Sequence, residues 1–256
     1  MTRIFAIANQ KGGVGKTTTS INLASSLASI DKRVLLVDLD PQGNTTMGSG
    51  VDKHLLDHTV YQILLGEQMA AEVRLPTEPG GYDLLPANQE LAGAEVEMVA
   101  LEQRESRLKK ALQVIQADYD FILIDCPPAL NLLTLNGLCA AHAVIIPMQC
   151  EYYALEGLSD LVNTIKRVRT GFNPAIRIEG LLRTMFDPRN LLAQQVSDQL
   201  KQHFGDKVYR TVIPRNIRLA EAPGFGLPVL YHDRQSRGAQ AYLELANEIL
   251  APLTDR

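Results

Sequence analysis

The sequence predicts an α/β protein built on a doubly wound, mainly parallel sheet flanked by helices. Short apolar runs rich in valine and isoleucine alternate with segments of helical period along the chain, and strands joined through helical crossovers come out parallel. Several runs are apolar without a break, as strands covered on both faces must be. A glycine-rich loop between the first run and the first helical segment completes the pattern of a phosphate-binding fold.

In order, the strand-like runs are RIFAIA (3–8), RVLLVD (33–38), YDLLPA (82–87), FILIDC (121–126), AVIIPM (143–148), IRIEGLL (176–182) and VYRTVIP (208–214). Helical patterns fill 16–30, 95–117, 132–141, 154–169, 191–204 and 238–250. No repeat, low-complexity tract or linker interrupts them, so one domain is expected over 1–256. Ligands of such sheets bind beyond the carboxyl ends of the strands. The segments to read are therefore 9–18, 38–44, 125–128, 149–151, 183–190 and 214–218.

The 256 residues include 46% hydrophobic and 21% charged side chains, ordinary values for a globular protein. No signal peptide and no apolar stretch of about 20 residues is present, so a cytoplasmic protein is expected. Cys126, Cys139 and Cys150 show no metal-ligand spacing and read as small core residues. The net charge of −4 hides an asymmetry. Residues 1–150 hold 11 basic and 17 acidic side chains (−6), whereas 151–256 hold 14 and 12 (+2). A local basic face is therefore compatible with the acidic average.

The loop reads NQKGGVGKTTTS, residues 9–20. Gly12, Gly13 and Gly15 permit backbone angles closed to other residues and let main-chain N–H groups, Val14 included, approach a phosphate. Lys16, Thr17 and Thr18 open a helix whose amino end favours anions. Lys16 is expected on the β- and γ-phosphates and the Thr17 hydroxyl on Mg²⁺. The usual spacing GxxxxGK[ST] has Gln10 at its first glycine. Asp125 ends an apolar strand where a metal-supporting carboxylate belongs. Asp38 and Asp40 end another. Asp40 is expected to orient the attacking water, and Asp38 to support the metal shell.

Together, KGGVGKT, VDLDPQGN and LIDCPP resemble the deviant Walker A ATPases, and specifically the ParA/Soj-type partition proteins. The resemblance extends through EYYALEGL, RTMFDPRN and IPRNIRLAEAPGFG, nearly the whole chain. It implies a Mg²⁺-dependent ATPase, slow until stimulated, whose ATP-bound homodimer binds double-stranded DNA without sequence preference. It implies that Lys11 reaches the partner subunit's nucleotide, a second cation supplied across the dimer. It places Met185, Pro214, Arg215 and Asn216, with Thr184, around the adenine, and Arg189 and Arg218 on DNA. Arg183, Lys166, Arg167 and Arg169 are weaker candidates for the same surface. The implied partner is a ParB-type centromere-binding protein and the implied location the nucleoid. With no helix-turn-helix before Arg3, operator-specific binding is not expected.

Three rivals share some of these features. A MinD-like membrane-cycling ATPase would need a basic amphipathic tail, but SRGAQAYLELANEILAPLTDR carries Glu244, Glu248 and Asp255 and no lysine. An iron–sulfur carrier would need exposed cysteines, whereas Cys126 follows a buried strand end. A nucleotide-gated binding module with little turnover is the non-enzymatic reading.

Overall fold

The computed structural model describes residues 2–251. Its strands are β1 Arg3–Ile7, β2 Val34–Asp38, β3 Leu75–Pro76, β4 Asp83–Leu85, β5 Phe121–Asp125, β6 Ala143–Gln149, β7 Arg177–Phe186 and β8 Val208–Pro214. They form one sheet in the order β3-β4-β2-β5-β1-β6-β7-β8. Every pairing is parallel except that of β3 with β4. All seven expected runs are strands.

The helices are α1 Lys16–Ala28, α2 Asn44–Gly48, α3 Val60–Leu65, α4 Ala70–Val73, α5 Leu91–Glu97, α6 Arg107–Ile115, α7 Leu132–Ala140, α8 Ala154–Gly171, α9 Leu191–Phe204, α10 Ile217–Glu221, α11 Val229–His232 and α12 Arg237–Leu250. They cover both faces of the sheet, and the strand period assigns each residue to one face. Ala6, Leu35, Ile122, Ile124 and Ile146 join one core with α3, α5, α6 and α7. Their neighbours Ile7, Leu36, Leu123 and Ile145 join a second core with α1 and α12. This double burial is why the central strands lack polar alternation.

One expected helix is two. The segment 95–117 breaks between α5 and α6, where Gln103 takes a left-handed backbone (φ 53°) that no helix interior accommodates. The strand β3 was not expected at all. Helix α12 buries Ala241, Tyr242, Leu245, Ala246 and Ile249 against the sheet, so the last helical segment packs on its own fold. Asp255, counted in the acidic tail, lies outside the described residues. Among the described residues no helix is long and apolar enough to cross a membrane.

Strand β1 sits between β5 and β6, with β2 beyond β5 on one side and β7 and β8 beyond β6 on the other. The strand order therefore reverses direction around β1, and a crevice forms above its carboxyl end. The glycine-rich loop leaves β1 there.

Candidate nucleotide site

The loop from Ala8 to Gly15 is held from both flanks. Asn9 donates from Nδ2 to the Pro147 carbonyl at 2.8 Å and accepts the Lys11 N–H on Oδ1 at 3.0 Å. Thr184, at the end of β7, donates to the Val14 carbonyl at 2.7 Å. Gly13 (φ +72°) and Gly15 (φ +89°) occupy left-handed backbone. A side chain at Gly15 would meet only Thr184, at an ordinary 3.8 Å, so conformation rather than space requires glycine there. The buried Lys16 ammonium folds back and donates to the Lys11 carbonyl at 3.2 Å. The lysine thus spans the cradle that the loop encloses. Burial lowers its pKa, and the Asp125 carboxylate opposes that shift.

Asp125 is the hub of the site. It is buried, and its two oxygens accept from three hydroxyls: Thr17 at 2.8 Å, Ser20 at 3.0 Å and Thr45 at 2.6 Å. Burial raises its pKa, and those three bonds oppose the rise. Asp38 stands behind it. Its oxygens accept from the Asp40 N–H and from both the N–H and hydroxyl of Thr46. Burial, then the nearby Asp125, pushes its carboxyl up to about 8. Asp38, expected to support the metal shell, stands close to Asp125 and gives its oxygens to the loop 40–46, which it holds in position. Asp40 is half-exposed and accepts the Gln42 N–H at 3.0 Å, and its charge acts to raise the pKa of both Lys16 and Asp125.

The donor set suits Mg²⁺. Thr17 Oγ1 and Asp125 Oδ2 are 2.8 Å apart at the foot of the loop, and Mg²⁺ takes one or two protein oxygens and completes its octahedron with water and phosphate. Among the described residues no cluster of three or more His, Cys, Asp or Glu side chains forms an all-protein cage. All three cysteines are buried, and burial raises each thiol pKa. An exposed cluster ligand is therefore excluded at these positions.

Met185, Pro214, Arg215 and Asn216 come together as expected. With Gly15 and Thr18 they line a cleft of about 180 Å³ beside the phosphate loop, floored by Tyr242. Met185 carries a left-handed backbone (φ 48°), unusual for an unbranched long side chain and concentrated at functional corners. Larger hollows exist, including one of about 520 Å³ at the amino ends of β2 and β4, but it lacks the loop's glycines and convergent hydroxyls.

The remaining candidates separate. Lys11 is half-exposed and its ammonium contacts Glu151 at 2.5 Å, away from its own loop. Arg189 is exposed and forked on both oxygens of Asp187, at 3.0 and 2.8 Å. Arg218 bridges Glu221 at 2.8 Å and Asp233 at 3.2 Å. Arg183 is not a surface residue: it is buried, donating to Ser197 and to the carbonyls of Tyr209 and Arg210. Lys166, Arg167 and Arg169 are exposed but lie late in α8, which runs back to the amino end of β7, away from Arg189. Sequence reasoning missed Asn9, Ser20, Thr45 and Thr46. Ser20 lies one turn after Lys16, and the two threonines directly follow the strand-end segment 38–44.

The chain is similar to known proteins along nearly its whole length. The family described as an AAA domain matches residues 2–178. The sporulation initiation inhibitor protein Soj of Bacillus subtilis is 53% identical over 251 residues, 98% of this chain and 99% of Soj. The chromosome partitioning protein ParA of Caulobacter vibrioides is 50% identical over 256 residues, 99% and 96% of the two chains. Among solved structures, a Mycobacterium smegmatis protein named cobyrinic acid a,c-diamide synthase, bound to an ATP analogue and magnesium, superposes with a TM-score of 0.86. It is 40% identical, with 98% of this chain and 95% of that one covered. Its name differs from those of the partition relatives, whose identity to this chain is higher. On relatives more than half identical across nearly the full length of both chains, this protein belongs to the ParA/Soj-type deviant Walker A ATPases.

Proposed function

We propose that the protein is a partition ATPase: an ATP-hydrolysing switch that binds DNA without sequence preference as an ATP-bound homodimer and is reset by hydrolysis. The observation that carries this reading is the convergence of Lys16, Thr17, Ser20 and Thr45 on Asp125 beneath the loop glycines.

ATP and Mg²⁺ are the cofactors the site is built for. Main-chain N–H groups of Gly12 to Thr18 receive the phosphates, and Lys16 neutralises the β- and γ-oxygens. Mg²⁺ would supply neutralisation of the charge on the β- and γ-phosphates. Thr17 offers it a hydroxyl oxygen and Asp125 a carboxylate. The cleft of Met185, Pro214, Arg215 and Asn216 takes the adenine. Asp40 orients a water on the γ-phosphorus; the water oxygen bonds to phosphorus as the bond to the β-phosphate oxygen breaks, releasing ADP and phosphate. Lys11 exchanges Glu151 for the partner subunit's nucleotide, so the dimer forms around the γ-phosphate. The fold acts as one domain. Arg189 and Arg218 face the DNA backbone, a ParB-type protein stimulates turnover, and the working location is the cytoplasmic nucleoid.

The test is binding to random-sequence duplex DNA with ADP and with ATP at two salt concentrations, beside anionic liposomes. Salt-sensitive DNA binding that needs ATP is the expected result. Liposome binding, or equal DNA binding with ADP, would overturn it.

A further inference from the structure

The two arginines already assigned to DNA are both tied to carboxylates, Arg189 to Asp187 and Arg218 to Glu221 and Asp233. A guanidinium so held has part of its charge and donor set already engaged before a phosphate arrives. Three other exposed arginines on the same edge have no carboxylate partner among the described residues: Arg215, Arg234 and Arg237.

These three frame one feature. A cleft of about 460 Å³ opens between the end of β7, the end of β8 and the start of α12, lined by Phe186, Pro188, Pro214, Arg237 and Gln240, with Glu244 at its far side. Arg237 lines the cleft directly. Arg189 adjoins Pro188 and Arg215 adjoins Pro214. Arg215 lies near enough to Asp187 to help Arg189 hold that carboxyl down, at about 2. Arg234 adjoins the rim, its carbonyl accepting from Gln240 Nε2 at 2.8 Å. Its neighbour Asp233 is the residue that bridges to Arg218, which closes the circuit between all five arginines.

We propose that Arg215, Arg234 and Arg237 form a phosphate-binding rim around this cleft and supply the larger share of DNA affinity, extending the face that Arg189 and Arg218 begin. The proposal rests on the DNA-binding reading above. The chemistry favours nucleic acid over lipid. From 208 to the chain end there are six arginines and no lysine; the planar fork of arginine matches phosphate oxygens in pairs and its charge never titrates away. The apolar face of α12 is buried against the sheet, with only Leu250 at its end among the exposed large hydrophobics. The exposed Ile217 and Phe225 nearby make vesicles a necessary comparison.

The experiment uses the full chain with ATP and Mg²⁺, and measures binding to a random-sequence duplex and to anionic vesicles across a salt series. Wild type is set beside the Arg234→Ala/Arg237→Ala double variant, an Arg234→Lys/Arg237→Lys variant and Lys110→Ala, an exposed lysine on α6. Dimerisation by ATP serves as the check of folding. Two protomers losing two phosphate contacts each should lower the slope of log affinity against log salt by about 3 to 4. The affinity at low salt should fall by at least tenfold, with dimerisation intact. The lysine variant should keep most of the slope, and Lys110→Ala all of it. A double variant with wild-type affinity and slope would overturn the rim while leaving the DNA-binding reading intact. Wild type that binds no DNA with ATP would overturn both. Loss of vesicle binding without loss of DNA binding would assign the arginines to a membrane and overturn the rim.

Discussion

The carboxyl edge of the sheet carries two charged corners made on opposite principles. At β1, β2 and β5 the acids are buried and their oxygens are filled by Thr17, Ser20, Thr45 and Thr46. At the ends of β7 and β8 the charges are arginines in solvent, some leashed to neighbouring carboxylates and some free. The first corner is fixed before any ligand arrives, because a buried polar group must be satisfied within the fold. The second is set by charges that water and salt screen. Geometry decides what the first binds; ionic conditions decide how tightly the second holds.

The sharpest way to break this contrast is at Lys16. Lys16→Ala should weaken nucleotide binding by on the order of 100-fold or more, since a desolvated cation on phosphate is lost; titration with a fluorescent ATP analogue measures it. Asp40→Ala should slow hydrolysis by about 100-fold while the ATP dimer persists, as removal of a water-positioning group does. A normal rate of phosphate release would remove Asp40 from that role. Thr45→Val takes one donor from the buried Asp125 and should cost about 1–3 kcal/mol of stability, read by denaturant unfolding without nucleotide.

The exposed corner should respond more gently and with the opposite sign. Asp187→Ala frees Arg189 and should strengthen DNA binding by about two- to fivefold at low salt, the gain vanishing as salt rises. A weakened hold would mean that Asp187 orients Arg189 rather than competing for it.

The fold was legible because burial on both faces writes itself into local composition. Seven apolar runs became seven strands. The strand β3 was not legible, since two residues, Leu75 and Pro76, paired antiparallel at an edge, leave no period to read. The helical pattern of 95–117 continued through Gln103, whose positive φ no composition announces. At the site, the glycines, Lys16 and the strand-end acids stood out because their chemistry depends on spacing along the chain. Thr45 and Thr46 did not, because what they do depends on Asp125 and Asp38 lying opposite them in space. Arg183 misled for the same reason: its partners, the carbonyls of Tyr209 and Arg210, lie a full helix further along the sequence.

The contact of Lys11 with Glu151 has a consequence for how the protein senses its surroundings. Both side chains are about half exposed, so the attraction between them is screened as ionic strength rises. Salt would then loosen the tether on Lys11 and ease its release toward a second subunit, while stripping the arginine edge of its hold on DNA. On the proposed cycle, the same ions free Lys11 in the monomer and shorten residence on DNA.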